Sequence, residues 1–216
     1  MCNLYAQTAS RQLLLELFGV GDNRACTFTS QDAIFPGNNG ITVRNTSDGV
    51  RECVPMSWGF VLNLKNQAPK RATNFRDDKL DSRFWSSAFN ERRCLIPVTS
   101  FAEPKGKSPA TWHWFALSKL REPFSFAGIW SPYKGQLKKD GDTVEIDVYS
   151  FMTTAPNSLV ATIHPSRMPV MLVGKDMHDQ WLNGNPNDAR KLVHSYPSEH
   201  MAIIQSNEER RDLEAC

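Results

Sequence analysis

The 216 residues are 40% hydrophobic and 22% charged, with a net charge of +2. That is enough chain for one well-cored domain and short for two, and the balance excludes a disordered, collagen-like or membrane-spanning polypeptide. So small a net charge also excludes a whole-molecule drive toward nucleic acid, so such a partner has to be met by a local basic patch.

The cysteines are Cys2, Cys26, Cys53, Cys94 and Cys216. Their number is odd, their spacing is wide and no C-x-x-C pair occurs, so a structural zinc site is not expected. The opening "MCNLYAQTASRQLLLELFG" has no basic head and turns polar early, which argues against a secretory signal. Free thiols in a reducing cytoplasm are the expectation.

In chain order, "TASRQLLLELFG" begins with capping residues, carries a leucine face and stops at Gly19, which predicts a short helix. "AIFPGNNGITVRN" reads as turns followed by a strand, and "RECVPMSWGFVL" as a strand. "LDSRFWSSAFNE" spaces Leu80, Phe84, Trp85 and Phe89 at helical intervals. "RCLIPVTSFAE" is an apolar strand, and "TWHWFALS" and "FSFAGIWS" resemble a meander. "VEIDVYSFMTT" alternates Val144, Ile146 and Val148 with acidic residues, the pattern of a further strand. "APNSLVATIH" predicts a short helix and "RMPVMLV" a strand. "KDMHDQWLNG" and "NPNDARKLVHS" predict short helices, and "HMAIIQ" a last strand. No βαβ rhythm emerges. The expected fold is a single α+β domain over residues 2–216, built on a curved, largely antiparallel sheet or distorted barrel with short peripheral helices. Residues from about 205 onward are expected as a flexible tail.

Four stretches could carry chemistry. Removing the initiator methionine would leave Cys2 with a free α-amine beside its thiol. An α-amine titrates near pH ~8 and condenses with aldehydes to a Schiff base. The thiol can then close on the same carbon, giving a five-membered thiazolidine, and this second attack is intramolecular. In "RATNFRDD", Asn74 can donate and accept, while Arg76 can grip a phosphate with paired donors. In "IPVTSFAEP", Glu103 ends an apolar strand, where desolvation would raise its pKa and suit it to proton transfer; the alternative is a water-facing carboxylate paired with Lys105. In "TIHPSRMPVML", His164 precedes Pro165 and titrates near neutral pH, and Arg167 follows. A basic run of Lys65, Lys70, Arg71, Arg76 and Lys79 stands against Asp77 and Asp78.

The set "MC", "MSWGF" at 56–60, "ATNFRDD" at 72–78, "RCLIPVTSFAEP" at 93–104, "FAGIW" at 126–130 and "IHPSRMPVML" at 163–172 resembles the SRAP family, the SOS response-associated peptidases or abasic site processing proteins. The resemblance implies a DNA-repair enzyme that binds single-stranded DNA containing abasic sites. It joins the mature N-terminal cysteine covalently to the opened deoxyribose. Carried over by motif, Cys2 is the nucleophile, Asn74 holds the sugar or the α-amino end, Glu103 is the acid/base and His164 assists proton transfer. Arg76 and Arg167 hold flanking phosphates, with Lys70 and Arg71 adding positive charge. Trp58, Phe75 and Trp85 are stacking candidates, core packing being the alternative for each. Self-removal of Met1 is the implied content of the peptidase label. No cofactor, no membrane and a monomer in the cytoplasm, at the nucleoid when on DNA, complete the expectation.

The family pattern is M-C-G-R, whereas Asn3 and Leu4 follow Cys2 here. G-F-Y-E-W has become "SFAEP", and N-A-R-x-E keeps Asn74 and Arg76 but has Phe75 between them and Asp78 at the glutamate position. Two other readings fit the same residues. One is an N-terminal-cysteine amidohydrolase, and the other is a single-stranded DNA-binding module without turnover.

Overall fold

The computed structural model describes residues 2–63 and 67–213; Met1, Lys65 and Cys216 lie outside the described residues. The chain runs β1 (Tyr5–Gln7), α1 (Arg11–Phe18), β2 (Gln31–Ile34), β3 (Asn39–Asn45), β4 (Arg51–Trp58), β5 (Phe60–Leu62), β6 (Lys70–Ala72), β7 (Asn74–Arg76) and α2 (Ser86–Glu91). It continues through β8 (Arg93–Val98), β9 (Ser100–Lys105), β10 (Thr111–Ala116), β11 (Phe124–Gln136), β12 (Thr143–Thr154) and α3 (Ser158–Ala161). It ends with β13 (Met168–Pro169), β14 (Met171–Leu172), α4 (Lys175–Asn183), α5 (Pro186–Arg190) and β15 (Ala202–Asn207).

Local chemistry explains the first helix. Ser10 caps α1 by accepting a bond from the Leu13 N–H, and Gly19 ends it at φ 66°, a left-handed conformation that suits glycine. Leu14, Leu15 and Phe18 form its buried face. The "LDSRFWSSAFNE" segment is less helical than its periodicity predicts. Only Ser86–Glu91 form the helix, and Leu80 to Trp85 run as successive turns.

Two sheets carry the molecule. In the larger, β12, β4, β3, β8 and β11 are neighbours in order, and pairing of β11 with β12 closes them into a barrel-like ring. The β13, β14 and β7 strands attach to this ring. The pairings are antiparallel except β12 with β4 and β12 with β7. The second sheet has the order β15-β10-β9-β1-β2 and is antiparallel throughout. The expected α+β architecture, largely antiparallel and barrel-like with short helices, is the observed one.

Three expected strands are each broken in two. "RCLIPVTSFAE" bends at Thr99, so that β8 stays in the ring and β9 crosses to the second sheet, carrying Glu103 with it. "RMPVMLV" splits between β12 and β11, with Val170 bonded to both. "RECVPMSWGFVL" breaks at Gly59, whose φ of 108° and close approach to the Arg71 side chain (2.9 Å from an added Cβ) exclude larger residues.

Cys26 and Cys53, expected as free thiols, are joined in a disulfide with Cα atoms 5.3 Å apart, within bridging range. Cys2 and Cys94 are free and buried. The segment from 205 is not a loose tail as far as Asp212. β15 pairs along β10, and the buried Asp212 carboxylate accepts from Arg121 Nη2 at 2.7 Å and from Ser100 Oγ at 2.5 Å. The buried carboxylate and guanidinium satisfy each other's charge there, which ties the segment to the second sheet.

Candidate active site

The site forms where β1, β7 and β9 meet. β1 pairs with β9 through Tyr5 opposite Phe101, and the Ala102 N–H donates to Leu4 O at 3.0 Å. This lays the N-terminal residues along the strand that ends in Glu103. Leu4, Ala6, Ala102 and Trp114 form an apolar cluster on one face of this sheet. Cys2 belongs to the other core, with Tyr5, Trp58, Phe101, Phe115 and Phe151. Leu4 at the position of the family arginine is therefore a core residue.

Cys2 is 1% exposed, and its Sγ donates to Leu4 O at 3.5 Å. Burial pushes its thiol well above the ordinary range, and the charge of Glu103 adds to that, so the thiol is protonated at neutral pH. The Cys2 carbonyl accepts from Asn74 Nδ2 at 2.8 Å. Asn74 opens β7, where it stands opposite Phe151 of β12, and its buried Oδ1 has no hydrogen-bond partner among the described residues. Asn3, one residue on, accepts from Thr73 Oγ1 at 3.0 Å. Both sides of the Cys2–Asn3 peptide unit are thereby tied to the Thr73–Asn74 segment.

Glu103 is fully buried, and neither carboxylate oxygen has a hydrogen-bond partner among the described residues. Desolvation lifts its pKa from 4.5 to about 7. Lys105, the alternative partner weighed above, points elsewhere: its Nζ donates to Thr162 O at 2.9 Å. A buried carboxyl that titrates near neutrality with its hydrogen-bonding capacity unspent is placed to give or take a proton.

His164 lies just beyond α3 and is half-buried. Its Nδ1 lies 2.9 Å from the Arg167 carbonyl O and 3.3 Å from the Arg167 N–H, so the ring is anchored to the backbone of that residue. Burial lowers the pKa of the ring, against a smaller upward pull from that carbonyl. The His164–Arg167 segment is moored at both ends. Thr162 is bonded to Lys105 of β9, and Arg167 is bonded to Asp77 beyond β7 and to Thr153. It thus bridges the strands that carry Glu103 and Asn74.

The expected DNA-contacting residues are placed differently. Trp58 and Phe75 are 0% and 1% exposed, so they offer no stacking face. Trp58 instead donates from Nε1 to Thr73 O at 2.9 Å, holding the residue before Asn74. Trp85 is half-buried against Phe60, Phe75 and Phe84. Phe84, which the sequence assigned to a helix face, is exposed instead. Arg76 is exposed but forms a two-point pair with Asp78, from Nε at 2.8 Å and Nη2 at 2.5 Å. Arg167 is held by the Asp77 carboxylate and by Thr153. Both expected phosphate contacts are therefore engaged by neighbouring carboxylates. Arg71 is half-buried and donates to Trp58 O and Gly59 O at 3.1 and 3.2 Å, and Lys70 is exposed.

Sequence reading missed the support beneath the site. Tyr5 and Tyr149 hydroxyls meet at 2.5 Å over Gly40, where an added Cβ would lie 2.2 Å from one and 2.3 Å from the other. Nothing in the pattern of a buried tyrosine announces this contact across 144 residues. Among the described residues, no group of three or more His, Cys, Asp or Glu could hold a metal ion, and no helix is long and apolar enough to cross a membrane.

Together the barrel-like ring, the second sheet laid against an N-terminal cysteine, and the Asn–Glu–His surround define an α+β domain whose reactive candidate is the start of its own chain. The family model for SOS response associated peptidase (SRAP) matches residues 1–209, and the chain belongs to that family. It is 30% identical over 179 residues to the abasic site processing protein YoqW of Bacillus subtilis (strain 168), covering 80% of this chain and 76% of that protein. It is 25% identical over 182 residues to abasic site processing protein YobE of the same organism, covering 80% and 78%. A crystal structure of a protein from Bordetella bronchiseptica shares the fold at a TM-score of 0.75 and 20% identity, over 95% of this chain and 98% of that one.

Proposed function

We propose that the chain captures abasic sites in single-stranded DNA through a covalent bond from Cys2 and so processes them in DNA repair. The relatives named for abasic site processing support the substrate. The observation that carries the chemistry is the placement of Cys2 against Asn74 with the unpartnered Glu103 carboxyl beside it.

Once Met1 is removed, the Cys2 α-amine adds to the aldehyde of the ring-opened deoxyribose, giving a carbinolamine. Glu103, protonated near neutral pH, gives a proton to the departing hydroxyl, and water leaves as the Schiff base forms. The Cys2 sulfur then bonds to the carbon of this protonated Schiff base, whose nitrogen keeps the one hydrogen it retained from the amine, as the thiol proton passes back to the Glu103 carboxylate. The net change is amine plus thiol plus aldehyde to thiazolidine plus one water, with no oxidant or reductant. Asn74 fixes the Cys2 backbone and presents Oδ1 to the α-amine or the sugar. His164 serves proton transfer at the sugar, including steps that reverse the bond. Removal of Met1 by the protein itself accounts for the peptidase description of the family. The reading makes the protein a cytoplasmic monomer that meets DNA at the nucleoid.

The test mixes Met1-free protein with single-stranded DNA bearing one abasic site and resolves the products on a denaturing gel. A shifted band that disappears with Cys2→Ala is expected. Salt-sensitive binding without any denaturant-stable band would instead favour a binding module without turnover. Cleavage of amide substrates dependent on Cys2, with no DNA adduct, would favour the amidohydrolase.

A further inference from the structure

Proton transfer at Glu103 raises a question of supply, because the carboxyl is fully buried. Across the ladder, Glu103 of β9 stands directly opposite His113 of β10. The preceding pair on the same face is Phe101 with Phe115, whose rings stack at 5.2 Å. Since side chains alternate with a period of two, Glu103 and His113 point to that same face, toward the core that holds Cys2. Directly paired residues have Cβ atoms about 4.5–5.5 Å apart, a gap that a carboxyl and an imidazole can close. His113 is half-buried, so it touches both the interior and water. Its Nδ1 lies 2.8 Å from Ser206 Oγ of β15, which fixes the ring.

We propose that His113 is the proton relay of the site, exchanging protons between the buried Glu103 carboxyl and solvent, with Ser206 as the residue that orients it. This rests on the capture reaction proposed above and adds a residue to it. Imidazole carries a proton from water to the Glu103 carboxylate before the dehydration, and carries one out to water when the carboxyl deprotonates.

The charges around the pair fit. Burial, and then the Lys105 ammonium, lower the pKa of His113, so the ring is neutral and able to accept near pH 7. The other buried ionisable groups of the core on this side are Cys2, Tyr5, Cys94 and Tyr149. From β15, residues 202–207 bring none.

Two measurements decide it. The first needs no DNA: carbon-13 titrations of the Glu103 carboxyl and the His113 ring should show each group responding at the midpoint of the other, as a coupled pair does. Independent single-step curves overturn the proposal, whether or not the protein captures abasic sites. The second follows adduct formation against pH. His113→Gln should slow it by about 10-fold, the lower end of what positioned proton transfer supplies, and flatten the profile. Added imidazole should restore the rate of His113→Ala, and Ser206→Ala should give a smaller, similar loss. A wild-type rate and profile in His113→Gln, or a slow His113→Ala that imidazole leaves unchanged, contradicts the relay. If wild-type protein forms no adduct while the titrations are coupled, the capture reaction fails and the Glu103–His113 pair stands.

Discussion

The interior of the site and its rim treat polar groups in opposite ways. Inside, Glu103 and the Asn74 Oδ1 are buried without hydrogen-bond partners among the described residues. At the rim, Arg76 and Arg167 are fully engaged with Asp78 and Asp77. Folding leaves a buried polar group unsatisfied only at a cost of about 1–3 kcal/mol, and the pair beside Cys2 keeps hydrogen-bonding capacity that a ligand or water can use. The rim shows no such debt. Its arginines reach phosphate only by exchanging one carboxylate for another anion. On the proposed reading, the interior is where a captured ligand completes the site, and the rim arginines are already engaged.

Changes inside should therefore be large. Glu103→Gln keeps the size of the side chain and removes the titrating proton. Adduct formation should fall by about 100-fold, within the range for a lost acid/base, while folding is retained; an unchanged single-turnover rate would remove Glu103 from the mechanism. Asn74→Ala strands the Cys2 carbonyl. About a 10-fold slower capture, together with a loss of about 1–2 kcal/mol on denaturant unfolding, is expected from one missing hydrogen bond. Capture and stability both equal to wild type would show that the N-terminal strand is held without it.

The interior also has a pH signature. The carboxyl of Glu103 has its pKa raised on folding from 4.5 to about 7, so the folded state holds more protons across that window. Its contribution to stability is present below the unfolded value and is lost as pH rises through the folded one. The loss amounts to at most about 3 kcal/mol between pH 5 and pH 8. Glu103→Gln should abolish that slope in a series of urea melts, and a slope equal to wild type would place the titrating group elsewhere.

Rim changes should be small and of opposite sign. Asp78→Asn releases Arg76, and binding to undamaged single-stranded DNA should tighten a few-fold, with a salt slope steeper by about one phosphate contact. Weaker binding in that variant would mean that Asp78 positions Arg76 for DNA instead of withholding it.

How much of this the sequence disclosed follows the same division. Local signals worked where chemistry is local. Ser10 and Gly19 bounded α1, and an apolar strand ending in glutamate made a desolvated Glu103 one of two readings, the one that burial selects. Contacts set by topology were hidden. The bend at Thr99 that sends β9 to a second sheet, the Cys26–Cys53 bridge across 27 residues, and the burial of Trp58 depend on which strands meet. The pairing at the rim was hidden for a different reason. "RDD" was visible as charge, but whether Arg76 faces phosphate or its own Asp78 is a matter of side-chain direction.

The central claim is that amine and thiol of Cys2 act on one carbon, and a reductant separates them. Met1-free wild-type protein should give an adduct with abasic single-stranded DNA that survives denaturation without borohydride, at the summed intact mass less one water. Cys2→Ala keeps an α-amine and should give a stable adduct only after borohydride reduction. A wild-type adduct that also needs borohydride, or a Cys2→Ala adduct that does not, would contradict thiazolidine formation at Cys2.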